Sequence, residues 1–204
     1  MPLAWLPVAD ESAETTLAVL ERLIHEHGPP LVIKSDNGPA FKSHRLAELL
    51  AAHDITWLPS PTRTPWYNGS CEAANGSMKA RTQYFAVTRG ARGRWIRSDL
   101  EKARQQANEK GRPQGHLRPT PAERWRQRSS ITRQERAELS AAIEKYRQRV
   151  IDQRTEPLNL NNKRQQRQVH RQAVRRALLD VGLLTITRRS IPLPLRSKTW
   201  DRFS

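Results

Sequence analysis

Two carboxylates stand out by what surrounds them. Asp36 follows the apolar run Leu31-Val32-Ile33-Lys34 and precedes the turn-forming Asn37-Gly38-Pro39. Glu72 follows the breaker-rich stretch Pro65-Trp66-Tyr67-Asn68-Gly69-Ser70, where a helix is expected to open. Between them lie 35 residues. An acid at a strand end and an acid at a helix start can converge on one hard cation. Mg²⁺ takes oxygen ligands and is commonly held by one or two carboxylates together with substrate phosphates. Paired divalent ions clamp the attacking and leaving oxygens of a phosphoryl transfer. The chemistry implied is metal-assisted cleavage or transfer of a phosphodiester, with Asp36 and Glu72 as ligands to Mg²⁺, or to Mn²⁺ in its place. Each acid alone has a plainer account. Asp-Asn-Gly is ordinary turn chemistry, and an acid in a first helical turn is favoured by the helix dipole.

The elements that position these acids follow from hydrophobic period and punctuation. Leu3 to Val8 is short and apolar and reads as an edge strand, cut by prolines. Ser12 to His27 has Leu17, Leu20, Leu23 and Ile24 on one helical face, and Gly28-Pro29-Pro30 stops it. Asp10 precedes that helix and reads as a cap or first-turn acid. Leu31 to Lys34 is a strand, Ser43 to His53 a helix with Leu46, Leu49 and Leu50 inward, and Ile55 to Leu58 another strand. This order predicts an α/β domain with parallel pairing. Residues 59–70 form a Pro- and Gly-punctuated loop, either a plain connector or, as its length favours, a functional loop. Helix 70–86 is capped by Ser70 or Asn68, and Glu72, Asn75 and Lys79 share one of its faces while Met78, Thr82 and Phe85 pack.

Gly90 to Arg94 is a basic joint, and Trp95 to Glu109 a helix with Trp95, Ile96, Leu100, Ala103 and Ala107 in phase. Thr120 caps a helix with Pro121 in its first position. His116 in the loop before it has no partner at ligand spacing and reads as packed or solvated. Thr132-Arg133-Gln134-Glu135 is a capping box that opens a helix to about Asp152, with Leu139, Ala142, Ile143, Tyr146 and Val150 inward. After a linker, Lys163 to Asp180 is a basic helix with Val169, Ala173, Ala177 and Leu178 on one side. Leu183 to Leu195 reads as an extended tail.

Charge divides the chain. Residues 1–90 carry 8 Lys+Arg against 9 Asp+Glu, whereas residues 91–204 carry 28 against 11. A near-neutral first half joined to a strongly basic second half suggests a compact core and an extension that meets a polyanion, and the chain is read as a core over 1–127 followed by a basic helical extension over 128–204. Arg164, Arg167, Arg171 and Arg175 are its candidate phosphate contacts. Solvated Arg-rich helices, or a disordered or oligomerising tail, are the alternatives. The one cysteine, Cys71, excludes an internal disulfide and fits a reducing compartment. No apolar run is long enough to span a membrane. A soluble intracellular protein is expected.

The run Ile33-Lys34-Ser35-Asp36-Asn37-Gly38-Pro39-Ala40-Phe41 resembles the middle acidic motif of retroviral-integrase-like transposases. Pro65-Trp66-Tyr67-Asn68-Gly69-Ser70-Cys71-Glu72-Ala73-Ala74-Asn75-Gly76-Ser77-Met78-Lys79 is similar to their final acidic motif, and the interval between the acids matches theirs. Arg112 to Trp125 resembles the segment that closes their core. The resemblance extends over roughly Leu3 to Trp125 and points to bacterial insertion-sequence members.

It implies a ribonuclease-H-like integrase core and Mg²⁺-dependent DNA cleavage and strand transfer by Asp36 and Glu72. Arg63, Tyr67, Asn75 and Lys79 would lie on DNA. The partners implied are transposon ends and target DNA, with a homo-oligomer as the active form, in the bacterial cytoplasm near the nucleoid. The family's first catalytic aspartate lies on an earlier strand, so this chain is expected to be an N-terminally truncated core lacking its first strands. A non-catalytic DNA-binding remnant is the alternative reading. A ribonuclease or Holliday-junction nuclease on the same fold is disfavoured by the Pro-Trp-Tyr-Asn-Gly loop.

Overall fold

The structure is a computed structural model. It describes residues 1–186 apart from Ala9, Glu11, Thr62, Arg63, Glu156 and Leu160, with only the backbone of Pro65 and Trp66. Helix α1 spans Ala13–His27, strand β1 Val32–Ser35, α2 His44–Ala52 and β2 Thr56–Pro59. Then come α3 (Gly69–Thr88), α4 (Arg97–Glu109), α5 (Pro121–Arg126), α6 (Arg133–Asp152) and α7 (Lys163–Asp180). Short 3₁₀ turns at Ala40–Lys42 and Pro65–Asn68 lead into α2 and α3.

The two strands are parallel, with Val32 opposite Thr56 and Ser35 opposite Pro59. A parallel pair has its crossover helix on one face and needs cover on the other. On one side α1 and α2 bury Leu17, Ile24, Leu46 and Leu50 against Ile55, with Ile33 and Trp57 packed alongside. On the other side α6 and α7 bury Leu139, Ala142, Ile143, Ala173, Val174 and Ala177 against Leu58, with Val32 alongside. The alternation of Val32 with Ile33, and of Trp57 with Leu58, follows from the two-residue period of a strand. The basic second half of the chain thus shares a core with the strands. Helices α6 and α7 run antiparallel, since Lys145 meets Asp180 at 3.5 Å and Arg176 donates to Gln153 at 3.0 Å.

Caps follow the sequence closely. Ser12, Ser43, Thr120 and Thr132 each accept from a backbone N–H in the first turn of the helix they precede. Asp10 braces the first of these, accepting from Ser12 N at 3.0 Å and Thr15 Oγ1 at 2.9 Å. The cap itself is Ser12.

Three expectations are corrected. Leu3 to Val8 is not a strand. Pro2 and Pro7 lack an N–H, and the segment is bound by side chains instead. Trp5 donates to Thr82 Oγ1 at 3.0 Å, Asn108 donates to Pro2 O at 2.9 Å and Arg104 to Leu3 O at 3.3 Å. Second, α4 starts at Arg97, and Trp95 and Ile96 are 41% and 46% exposed. Asp99 decides that boundary. It is buried, accepts from Ile96 N at 3.1 Å and pairs with Arg89 at 2.9 Å, which fixes the chain outside the helix before Arg97. Third, Asn68 occupies the cap position of α3 without capping it, and Ser70 lies inside the helix. The expected extended tail lies, beyond Ile186, outside the described residues.

Arg136 holds the amino ends of both strands. Its guanidinium donates to Pro29 O, to Pro30 O at 3.1 Å, and to His53 O and Asp54 O at 3.4 Å each. These carbonyls lie just before β1 and β2. Charged donors contribute more per bond than neutral ones, so Arg136→Met is expected to cost about 2–3 kcal/mol. Urea unfolding followed by circular dichroism checks it.

Asp99 gives a pH dependence with a definite sign. The hydrogen bond from Arg89 holds its carboxyl below the usual carboxylate range. Its contribution is therefore complete above the unfolded value, about pH 4, and is lost as pH falls through the depressed folded value. Asp99→Asn is expected to melt lower than wild type at neutral pH, with the gap closing as pH falls below the usual carboxylate range. Thermal melts across that range test it.

Candidate functional site

In an open α/β sheet, ligands meet the carboxyl ends of the strands. Here Asp36 directly follows β1 and Ser60 directly follows β2. Asp36 is exposed and its Oδ1 accepts from Gly38 N at 2.8 Å. A β-carbon on Gly38 would stand 3.0 Å from that same oxygen, so the tight turn favours glycine.

Ser60 joins this turn to α3. It is 3% exposed. Its N–H and its hydroxyl each donate to Ser35 O at 2.8 Å, and its carbonyl accepts from Asn37 Nδ2 at 2.7 Å. Its hydroxyl also stands 2.8 Å from the Asn68 side-chain oxygen position. A hydroxyl has one proton, and an Asn68 amide turned to present its nitrogen would satisfy both contacts. This explains why Asn68 does not cap α3: its side chain is engaged across the loop. Trp57 Nε1 donates to Ser35 Oγ at 2.9 Å, and His170 Nε2 of α7 lies 2.7 Å from Trp57 O. The turn bearing Asp36 and the helix start bearing Glu72 are therefore linked through one buried serine.

Glu72 lies in the first turn of α3, exposed. Asn75 and Lys79 follow along the helix, also exposed, and among the described residues neither is paired. Tyr67 sits in the 3₁₀ turn before α3. Lys34 donates to its carbonyl at 2.6 Å and lies 4.0 Å from its ring centre. From the other side α7 brings Arg171 close enough to interact with the Tyr67 phenol and with Arg167. Burial pushes the Arg171 guanidinium below its ordinary value, and the neighbouring Arg167 adds to this. Arg164 and Arg175 are more exposed on the same helix. Among the described residues no carboxylate pairs with Arg164, Arg167, Arg171 or Arg175. Arg63 lies outside the described residues. His116 is exposed.

Of the candidates, then, Tyr67 and Arg171 interact electrostatically, and Arg167 acts on the same guanidinium. Lys34, Ser60 and His170 complete the region. Lys34 stood within the recognised motif. Ser60 and His170 left no signal, since their partners are 25 and 113 residues away.

The donor chemistry suits a hard cation. Glu72 makes no hydrogen bond among the described residues, and Asp36 keeps one oxygen unengaged. Two carboxylates are the usual protein share of a Mg²⁺ site. Among the described residues no group of three His, Cys, Asp or Glu is placed to share a metal ion. No helix there is long and apolar enough to cross a membrane.

Residues 1–65 match the integrase core domain family. The match includes the Asp36 turn and Ser60. The chain is 29% identical over 96 residues to the Gag-Pol polyprotein of avian reticuloendotheliosis virus, a stretch covering 45% of this chain and 8% of that one. A chain of the simian T-cell lymphotropic virus intasome, determined in complex with PP2A regulatory subunit B56 gamma, superposes with a TM-score of 0.53 at 19% identity, over 61% of this chain and 44% of that chain. The HTLV-2 integrase catalytic core, determined in complex with magnesium, gives a TM-score of 0.46 at 22% identity, covering 56% of this chain and 70% of that chain. The superposition on the intasome chain shows the integrase catalytic-core fold. The chain spans less than a tenth of the viral polyprotein and under half of the intasome chain.

Ser60→Ala removes the hydroxyl from the hub while keeping its backbone bonds. The expected cost is about 1–2 kcal/mol, with faster amide exchange over residues 66–70 than in α6. Denaturant titration and hydrogen exchange measure the two.

Proposed function

We propose that this chain is the DNA-engaging part of an integrase-type polynucleotidyl transferase, in which Asp36 and Glu72 hold Mg²⁺ against a DNA phosphodiester. The supporting observation is the Ser60 hub, which ties the Asp36 turn to the start of the Glu72 helix. When bound, the metal would stabilise the charge that develops on the oxygens at phosphorus. The chain's own groups would do the positioning. Lys79 and Asn75 extend the Glu72 face toward the DNA backbone. Arg171, Arg167, Arg164 and Arg175 supply phosphate contacts beside Tyr67, giving affinity without base preference. Transposon ends and target would be the DNA, and a multimer on paired ends the active form.

A second reading is a DNA-binding protein that does not cut. It is favoured by the lack of a third acidic ligand beside Asp36 and Glu72 among the described residues.

The test uses the full chain with labelled DNA duplex. Mn²⁺, followed by its paramagnetic resonance signal, replaces Mg²⁺ as probe. Asp36→Asn and Glu72→Gln are each expected to weaken Mn²⁺ binding by roughly tenfold or more, as loss of even an outer partner does at metal sites, while DNA affinity is retained. Metal-dependent nicking by wild type and not by these variants supports transfer chemistry. Salt-sensitive DNA binding without nicking supports the second reading. Mn²⁺ binding unchanged in both variants would remove Asp36 and Glu72 from the site.

A further inference from the structure

The turn between α3 and α4 takes no part in the site above, yet it is built for a polyanion. Arg89-Gly90-Ala91-Arg92-Gly93-Arg94-Trp95-Ile96-Arg97 carries four arginines and no acid. Arg89 is committed to buried Asp99. The next acid, Glu101, is taken by Arg104 at 2.5 Å. Arg92, Arg94 and Arg97 are exposed and, among the described residues, pair with no carboxylate.

The backbone beneath them is held. Gly90 and Gly93 both adopt φ +77, a conformation that side chains resist. Ala91 N donates to Ala86 O at 2.8 Å, Arg94 N to Ala91 O at 3.0 Å, and Arg89 Nη2 to Arg94 O at 2.7 Å. Trp95 donates from Nε1 to Gln83 Oε1 at 2.7 Å, which fixes one edge of the indole while 41% of the residue stays exposed. Tyr84, next to Gln83, is 58% exposed. A lone exposed tryptophan would be unremarked. A held ring among three unpaired arginines on a fixed turn combines phosphate binding with a stacking platform.

We propose that the α3–α4 turn is a second contact surface, for single-stranded nucleic acid, with Arg92, Arg94 and Arg97 on phosphates and Trp95 stacked on a base. Duplex bases are stacked on one another and offer a side chain no free face. An apolar protein partner would leave the three cations buried and unpaired. From Glu72 to the end of α3 the helix rises about 24 Å. One strand laid along that helix could reach from the Asp36–Glu72 region toward Trp95. The surface itself rests on different residues and does not need the metal reading.

The test is fluorescence anisotropy of the full chain with a labelled oligothymidylate and a labelled duplex, each of about 20 nucleotides or base pairs. Trp95→Ala is expected to weaken oligothymidylate binding about tenfold and duplex binding far less, with Trp95→Phe recovering most of the loss. Arg92→Gln with Arg94→Gln is expected to flatten the slope of log affinity against log salt by about 1.4. Far-UV circular dichroism confirms that the exposed variants fold. Unchanged oligothymidylate binding in Trp95→Ala and in the double arginine variant overturns the proposal, as does an equal loss on duplex. So does a Trp95→Ala variant that converts a dimer to a monomer in sedimentation with oligothymidylate binding intact, which would assign the surface to a second copy. Wild type that binds no oligothymidylate also overturns it, while Mn²⁺ binding at Asp36 and Glu72 still reports separately on the metal reading.

Discussion

The parallel pairing of β1 with β2 is the constraint on which the rest of this structure depends. Each strand has only four residues, and a pair this small cannot stand alone in water. It persists because both faces are covered and both ends are held. At the amino ends Arg136 gathers the carbonyls that precede the strands. At the carboxyl ends Ser60 binds Ser35 and Asn37. One clamp uses a charged donor on backbone carbonyls, the other a buried hydroxyl, and the four residue pairs of the sheet lie between them.

The two clamps have different consequences. Arg136 comes from α6 and makes the second half of the chain necessary to the sheet. Ser60 faces the site and reaches Asn68, so the same contacts that terminate the sheet set the start of α3. Strand pairing and the relation of Asp36 to Glu72 are thereby coupled. Loss of register between β1 and β2 would move Ser60 away from Ser35 and release the loop that precedes Glu72. A site on exposed loops gains rigidity in this way from a core that is small.

Helix α7 serves two environments at once. Val169, Ala173, Val174 and Ala177 are buried against the sheet side, while Arg164 and Arg175 remain outside. Arg167 and Arg171 lie on the border, partly buried, and among the described residues neither pairs with a carboxylate. An amphipathic basic helix need not be a detached tail. Packing its small apolar stripe puts Arg171 within electrostatic reach of Tyr67, 104 residues away in the chain.

Much of this was legible in the sequence because it depends on local chemistry. Capping residues, the Gly28-Pro29-Pro30 stop and the inward stripes of α1, α2, α6 and α7 are short-range patterns, and they fix where those helices lie. The Asp36 motif pointed to the integrase core over residues 1–65, the part that the family match covers. What the tertiary structure decided involves partners distant in the chain. Pro2 and Pro7 and the side chains of Thr82, Arg104 and Asn108 turned an expected strand into a bound segment. Buried Asp99 moved the start of α4 past Trp95 and left that ring in solvent. Ser60 drew Asn68 away from its cap. The face of α7 that packs, and hence which arginines come near the site, is set by Leu58 and Trp57. Periodicity identifies an apolar stripe; only folding determines what that stripe meets.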